Sequence, residues 1–509
     1  MGSAPLSVFE HIVVLMLENR SFDNVLGWLY DPAYQFPLPP DKTFNGVYGK
    51  NLTNPQLDGT PVPVGKESDP TQPNPDPGEP YQDVYCQLYG VKRVPALAQV
   101  PPNPPQPPAM NGFVYNYTIQ EHQPTPATIM QCLTPEVVPV LSHLAYHYGA
   151  CDHWFASIPT QTLCNRSFLH AGTSSGYVDN GGEDGVVFVN DTPTIFNLLQ
   201  AAGRSWKIFC ASWTVTSLAL LTQQKLWDFY FQDGYFFHLR DFFHGARQPG
   251  GLPHYSFIEP IYIDSLIWGP ENDMHPEAAP YELYGPSNVE YGELLVYEIY
   301  QAIRQSPDWE NTLLIILFDE HGGTYDHVAP LAAVPPGGSV LAPSNPGYSG
   351  FEFNRLGVRV PAIVISPYTD QQTILHESYD HTVVPKTVAN CFGLPNGQLG
   401  QREAAAPDLS AALTRNTPRR DLPLIPQPAI KDPTLEKRAQ VFENALLHSG
   451  GKPISELQRR ILAGAVRRLG APPAAPEDVS QVTTALEADR LLMKIEWDLA
   501  RQKRSRARS

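Results

Sequence analysis

The stretch VFEHIVVLMLENRSFD, residues 8–23, decides the fold class of this chain of 509 residues. Its first part, residues 8–17, is a continuous apolar run rich in Val, Ile and Leu. Such a run predicts a strand that is buried on both faces, as the strands of parallel sheets are. Glu18 and Asn19 follow it directly, and open α/β sheets bind their ligands at the carboxyl ends of their strands.

Two further apolar runs predict more strands of the same sheet. TLLIILF, residues 312–318, comes after a helical stretch at residues 292–305 and before the polar motif DEHGGTYDHV. RVPAIVIS, residues 359–366, is the third run. This alternation predicts a doubly wound α/β fold, with a mostly parallel sheet flanked by helices.

The C-terminal part of the chain has a different pattern. Residues 432–448, 455–470 and 476–500 each show helical spacing of apolar side chains. We therefore predict a catalytic domain at residues 1–410 and a helical C-terminal region at residues 411–509. The proline-rich insertion at residues 35–108, which contains NPDPGEP, is interpreted as long surface loops.

Composition and charge exclude some classes of function. The net charge of -17 and the pI near 5.3 argue against nucleic-acid binding, which needs clustered Lys and Arg. Five cations at Arg501–Arg508 indicate a solvated tail, with peripheral contact to an anionic membrane as the alternative. The six cysteines show neither zinc-ribbon spacing nor the density of a disulfide scaffold.

The sequence shows neither a signal peptide nor a membrane-spanning run. The N-terminus lacks the basic region of a signal peptide, and no run reaches the roughly 18 apolar residues of a spanning helix. We expect a soluble protein, and the sequence does not decide between a cytoplasmic and a secreted one.

Polar residues leave two of the predicted strands at what should be one edge of the sheet. Glu18 and Asn19 follow the first strand, and Asp319 and Glu320 follow the second. Carboxylate and amide oxygens suit divalent cations, so the four residues together predict a metal site. Taken singly, each pair is also typical of a helix cap. Among the histidines near these motifs we favour two as site residues, His275 and His381.

The segment CDHWFASIPTQTLCNRSFLHAGTSSG, residues 151–176, offers a nucleophile. Its part after Thr162 is predicted to be helical, which puts a hydroxyl near a helix N-terminus, where N–H groups favour phosphate. A metal-stabilised Thr162 alkoxide could attack phosphorus, and Asn165 and Arg166 could hold the phosphoryl oxygens. The alternative for Arg166 is an ion pair with a structural carboxylate.

In combination these motifs resemble a known family of phosphoesterases. It includes bacterial phosphatidylcholine-hydrolysing phospholipases C, plant non-specific phospholipases C and a bacterial acid phosphatase. The similarity covers about residues 8–395, and Cys164 stands where the family has proline. Four motifs match in order: ENRSFDNVLG (18–27), TLCNR (162–166), DEHGGTYDHV (319–328) and GVRVPAIVISP (357–367).

The resemblance implies an alkaline-phosphatase-like core with Thr162 as nucleophile. It also implies that the metal site comprises Glu18, Asn19, Asp319 and Glu320. Members of the family differ in their metal content, so zinc and iron stay open. The oxygen-rich ligand set favours calcium.

The expected function is metal-dependent hydrolysis of phospholipid head groups through a covalent phosphothreonine. One alternative is an acid phosphatase acting on monoesters, and another is a phosphate- or membrane-binding protein without turnover. A head-group lipase should bind a choline-like cation through aromatic side chains. Trp154, Trp213 and Tyr262 are the candidates, and packing in the core is the competing interpretation for all three.

Overall fold

The fold is built around one large sheet. The computed structural model describes residues 3–120, 124–181, 186–265, 268–276, 286–337, 350–421, 423–431, 456–468, 479 and 482–506. Its strands are β1 (His11–Leu17), β2 (Thr53–Pro55), β3 (Pro61–Pro63), β4 (Gly65–Glu67), β5 (Gln131–Leu133), β6 (Gly149–Cys151), β7 (Trp206–Cys210), β8 (Phe236–His238), β9 (Tyr255–Glu259), β10 (Thr312–Phe318), β11 (Ala362–Ile365) and β12 (Thr373–Leu375). Within the described residues, the large sheet has the order β12-β6-β11-β10-β1-β9-β7-β8. The pairs β2-β3 and β4-β5 form two small sheets beside it.

Strands β1 and β10 form the centre of the large sheet. Every residue of both strands is buried, as their apolar runs predict. They pair in parallel, from His11 opposite Thr312 to Leu17 opposite Phe318. Strand β9 pairs in parallel with the other side of β1, so both predicted central strands are confirmed.

Strand β11 is the antiparallel member of a mostly parallel sheet. It runs antiparallel to both β10 and β6. The strand predicted at residues 359–366 is shorter in the structure, where it spans Ala362–Ile365. Arg359 lies before the strand. Its guanidinium makes buried ion pairs with Asp23 and Asp326, each at 2.9 Å.

Helices flank the sheet and confirm the doubly wound arrangement. They are α1 (Phe22–Leu26), α2 (Tyr81–Tyr89), α3 (Phe113–Thr118), α4 (Pro139–His147), α5 (Thr162–Ala171), α6 (Ile195–Ala201), α7 (Leu218–Thr222), α8 (Trp227–Tyr230), α9 (Leu239–Ala246), α10 (Val289–Arg304), α11 (Val383–Phe392), α12 (Gln401–Ala405), α13 (Glu456–Arg468) and α14 (Ala485–Arg506). Helix α10 contacts α4 and α9, whereas α5 contacts α6, α7 and α11. Among the described helices, α4, α9 and α10 therefore form one group, and α5, α6, α7 and α11 form another.

The proline-rich insertion at residues 35–108 differs from the predicted surface loops. It contains β2, β3, β4 and the nine-residue helix α2, most of whose residues are buried. Helix α2 packs against α3, and Glu79 just before it is buried as well. Prolines exclude long regular elements but allow short ones between turns. The segment thus contributes to the interior.

The C-terminal helices α13 and α14 pack on the α/β body. Trp213 donates its indole N–H to Asp489 of α14 at 2.8 Å, and Gln458 of α13 donates to the carbonyl of Tyr262 at 2.8 Å. The helix predicted at residues 432–448 lies outside the described residues. The domain boundary at residue 410 stays a prediction.

Two further expectations concern the surface and the cysteines. All six cysteines are buried free thiols, in line with the absence of a disulfide pattern. No helix among the described residues is long and apolar enough to cross a lipid bilayer. The basic stretch that was interpreted as a solvated tail continues helix α14 as far as Arg506.

A buried carboxyl at the interface of α10 and α4 should make the stability of the fold depend on pH. Glu293 accepts the backbone N–H groups of Val140 and Leu141 at the start of α4. Burial raises the pKa of the Glu293 carboxyl from 4.5 to about 8. Between those values the folded protein holds a proton that the unfolded chain releases, so stability falls as pH rises.

We expect the free energy of unfolding to drop by a few kcal/mol from pH 5 to pH 8.5, since one pKa unit is worth about 1.4 kcal/mol. Glu293→Gln should flatten this dependence, because an amide does not titrate. Denaturant unfolding at a series of pH values measures the effect, and Glu310→Gln at an exposed position serves as control. An unchanged slope in Glu293→Gln would contradict the assignment.

Candidate active site

The register between β1 and β10 builds the centre of the site. Leu17 lies opposite Phe318, so the next residues of the two strands, Glu18 and Asp319, are neighbours at the carboxyl edge. Both side chains are fully buried. Two carboxylates are therefore held side by side away from water, as the polar strand ends predicted.

Arg166 joins these two carboxylates. Its Nη2 lies 3.2 Å from Oε1 of Glu18, and its Nε donates to Oδ2 of Asp319 at 2.9 Å. Its Nη1 donates to the hydroxyl of Tyr262 at 3.0 Å. Burial by itself lowers the pKa of the Arg166 guanidinium, but Tyr262, Asp319 and Glu18 together raise it above its usual value. Arg166 is thus a permanent cation, paired with two of the predicted metal ligands.

Asn19 connects the carboxylates to the predicted nucleophile. Its backbone N–H donates to Oδ1 of Asp319 at 3.1 Å, and its amide Nδ2 donates to Glu79. The remaining amide oxygen, Oδ1, accepts a hydrogen bond of 3.2 Å from the Thr162 hydroxyl. Because Nδ2 is held by an acceptor, the oxygen of this amide faces Thr162.

The backbone at Asn19 is held in a left-handed conformation with φ of 58°. Asparagine tolerates this region better than most residues do. Gly322, itself at φ 58°, packs so closely that a Cβ there would lie 2.1 Å from the carbonyl oxygen of Asn19. Glycine at this position is therefore a steric requirement of the site.

Thr162 is the first residue of helix α5, as the sequence predicted, and its side chain is buried. Asn165 does not point at the hydroxyl. Its Nδ2 donates to the carbonyl of Thr160 at 2.7 Å, and its Oδ1 accepts the N–H of Ile158 at 3.0 Å. Asn165 thus fixes the loop before α5. Cys164, at the position where the family has proline, lies within the regular helix.

The two favoured histidines contact different groups of the site. His381 contacts the backbone carbonyl of Asp319 through Nε2 at 2.6 Å, and its Nδ1 accepts the indole N–H of Trp154 at 3.2 Å. This pattern requires the neutral tautomer with the proton on Nε2. Nε2 of His275 lies 3.2 Å from Oε1 of Glu79.

Burial shifts the pKa values of the carboxyl groups and of the histidines in opposite directions, because it disfavours the charged form of each. It raises the pKa of Glu18 and Glu320 well above the usual carboxyl value, with further contributions from Asp319. It lowers the pKa of His381. For His275 burial also acts to lower the pKa, but the neighbouring carboxylates, with Glu79 first, raise it well above its usual value.

These donors fit a divalent cation. Oε1 of Glu320 is buried and accepts no hydrogen bond from the described residues, whereas Oε1 of Glu18 has Nη2 of Arg166 at 3.2 Å. Beside them, ligand atoms of Asp76, Glu79 and His275 all lie within 4.8 Å of one another. The carboxylate and amide oxygens of the site suit a dication, because a buried anionic oxygen without a hydrogen bond, such as Oε1 of Glu320, is costly.

Sequence reasoning missed Asp76 and Glu79, which reach the site from the proline-rich insertion. Their only signal was a pair of acids in NPDPGEP, residues 74–80. Two of the aromatic candidates for a choline-like cation, Trp154 and Trp213, are buried and use their indole N–H within the protein. Tyr262 contacts Arg166.

Comparison with known proteins places this site in context. The sequence profile of the Phosphoesterase family matches residues 9–395. Non-specific phospholipase C3 of Arabidopsis thaliana is 35% identical over 439 residues, which are 83% of this chain and 77% of that protein. Phospholipase C B of Mycobacterium tuberculosis strain H37Rv is 28% identical over 481 residues, 87% of this chain and 84% of that protein.

Solved structures give a weaker likeness. A Vibrio parahaemolyticus protein of the alkaline phosphatase superfamily has a TM-score of 0.31 and 14% identity, over 61% of this chain and 82% of that one. The fold description above therefore rests on the strand order and register of this chain.

Removing a carboxylate should separate cation binding from folding. A cation that binds only the native state stabilises it, by about 2.7 kcal/mol at a concentration 100 times the Kd. We expect Ca²⁺ or Zn²⁺ to raise the Tm of the chelator-treated protein, and Glu320→Gln to lose most of that rise. Without cation, Glu320→Gln should be at least as stable as the wild type, because it removes a buried charge. Thermal unfolding measures both, with exposed Glu352→Gln as control; equal shifts in all three proteins would contradict a role for Glu320.

Proposed function

This chain belongs to the Phosphoesterase family, and we propose that it cleaves phospholipids as a phospholipase C, with Thr162 as the nucleophile. Membership confirms the resemblance that the four motifs carried, and it makes the chain a phosphoric ester hydrolase. The lipid substrate is supported by relatives named phospholipase C in Arabidopsis thaliana and Mycobacterium tuberculosis.

One observation carries the proposal for Thr162. Its hydroxyl lies 3.2 Å from the side-chain amide oxygen of Asn19. The backbone N–H of Asn19 in turn donates to the carboxylate of Asp319. The nucleophile is thus one side chain away from the buried carboxylates. Its place at the first turn of α5 adds the positive end of the helix dipole, which is favourable for a phosphate.

The proposed reaction is an in-line displacement. The hydroxyl proton of Thr162 passes to solvent as Oγ1 forms a bond to phosphorus, and the bond from phosphorus to the glycerol oxygen breaks. Diacylglycerol leaves after its oxygen takes a proton, and His275 is the candidate donor. Water then attacks the phosphothreonine, which frees Thr162 and releases the phosphorylated head group. Each step balances without an added oxidant or reductant.

The remaining residues hold or orient the reacting groups. Arg166 supplies positive charge next to the carboxylates, and Asn165 fixes the loop that presents Thr162. His381 donates to the carbonyl of Asp319 and so orients that residue. A divalent cation would supply Lewis acidity, making the threonine hydroxyl more nucleophilic and neutralising developing charge, and the residues proposed to hold it are Glu18, Asn19, Asp319 and Glu320.

Variants of the nucleophile test the covalent step. We expect Thr162→Ala to lower kcat by at least about 1,000-fold, since no other group replaces the attacking oxygen. Thr162→Ser should keep measurable turnover because it keeps a hydroxyl. Acid quenching with a lipid labelled on its phosphate should trap label on the wild type and not on Thr162→Ala. Thr192→Ala, a threonine outside the site, is the control. Full activity of Thr162→Ala would refute the assignment.

Substrate preference tests the lipase assignment separately. We expect the metal-replete protein to hydrolyse a chromogenic phosphodiester and phosphatidylcholine vesicles faster than the matching phosphomonoester, and a chelator to suppress both reactions. A preference for the monoester would favour the acid phosphatase. No turnover of any substrate would favour a binding protein.

A further inference from the structure

A second group of metal-binding side chains lies near the outer edge of the large sheet. Strands β6 and β12 run in parallel with Leu375 opposite Cys151. The next residues, His376 and Asp152, are therefore neighbours where the two strands end, and His153 follows Asp152. The register of one strand pair thus brings two imidazoles to one carboxylate.

Both imidazoles point the same nitrogen at the same carboxylate. Nδ1 of His153 lies 2.8 Å from Oδ1 of Asp152, and Nδ1 of His376 lies 2.9 Å from that atom and 3.0 Å from Oδ2. The carboxylate itself is fully buried, and the backbone N–H of Asn45 donates to its Oδ2 at 2.9 Å. A fixed anion is therefore capped by two imidazoles on its outer side.

We propose that Asp152, His153 and His376 form a second cation site, which binds Zn²⁺ or a dication of similar hardness. Two imidazoles and one carboxylate are a common three-ligand set for Zn²⁺, which leaves a fourth position for water. This site differs in chemistry from the oxygen-rich centre next to Thr162. It is independent of the proposed hydrolysis, because none of its three residues belongs to that centre.

The local geometry leaves room for such an ion. The ligand atoms all lie within 4.8 Å of one another. A tetrahedral ion with bonds of about 2.0–2.2 Å needs ligand atoms about 3.4 Å apart, so each imidazole has to move outward by about half an ångström. His153 and His376 are 26% and 47% exposed, which gives them the freedom to do so and gives the ion access from solvent.

A neighbouring cluster with similar composition shows why this one is selected. Asp23, Asp326 and His327 also bring potential ligand atoms together. There, however, the guanidinium of Arg359 already pairs with both carboxylates at 2.9 Å. Among the described residues, no Lys or Arg side chain makes an ion pair with Asp152, so its carboxylate can serve a cation.

The proposed site lies at the start of two loops that lead to the catalytic edge. One loop runs from Asp152 through Trp154 to Thr162, and the other runs from His376 to His381. The loops are already linked, because Trp154 donates to His381. Strand β6 lies two strands from β10, or roughly 10 Å at the usual strand spacing of about 4.8 Å. A cation there would tie the two loops together at their roots.

Zinc titration of the full-length protein tests the proposal. The chelator-treated Glu320→Gln variant serves as background, so that binding at the catalytic centre is weakened. Isothermal titration should show one equivalent of Zn²⁺ bound in this background. His376→Ala or His153→Ala added to it should weaken that binding at least tenfold. The visible spectrum of bound Co²⁺ should lose intensity in parallel.

Matched controls keep the result interpretable. His244→Ala removes an exposed histidine of α9 and should leave the titration unchanged. Circular dichroism checks that each variant folds, and both ligand variants are at partly exposed positions. Zinc affinity that is equal in the background protein and in both ligand variants overturns the proposal. So does a loss in His244→Ala as large as that in His376→Ala. Failure of this site would leave the hydrolysis proposal intact, because that proposal is tested by Thr162→Ala.

Discussion

The guanidinium of Arg166 neutralises two carboxylates that the β1-β10 register forces together inside the protein. Glu18 and Asp319 lie side by side, because each follows the last paired residue of its strand. Burying them costs several kcal/mol per ion, and an ion pair with good geometry offsets part of that cost. Arg166 comes from helix α5, so the same interaction that satisfies the strand ends also positions the helix that begins with Thr162.

One arginine does not balance the charge at this edge. Glu18, Asp319 and Glu320 are all buried there, and Glu79 approaches from the proline-rich insertion. The excess appears as raised pKa values of Glu18 and Glu320 and as a carboxylate oxygen of Glu320 without a hydrogen bond from the described residues. The proposed divalent cation would offset this cost. Carboxyl groups with strongly raised pKa values are typical of functional sites, which supports this edge of the sheet as the candidate site.

The sequence predicted those features that depend on residues close together in the chain. The mostly apolar runs at residues 8–17 and 312–318 identify buried strands, and the polar residues after them lie at the predicted edge. The direction of β11, the folding of residues 35–108 and the approach of Glu79 depend on long-range contacts. Asn165 shows a further limit, because residue type alone does not tell whether an amide faces a substrate or fixes its own loop.

The position of the Thr162 hydroxyl is determined from three directions. The next residue of α5, Leu163, donates its N–H to Asn180 at 2.8 Å, which anchors the start of the helix. Asn165 fixes the loop before it, and the amide of Asn19 fixes the hydroxyl itself. None of these groups needs to react. The proposed displacement at phosphorus depends steeply on alignment, so restraints on the buried Thr162 hydroxyl would reduce the motion that has to be lost on the way to its transition state.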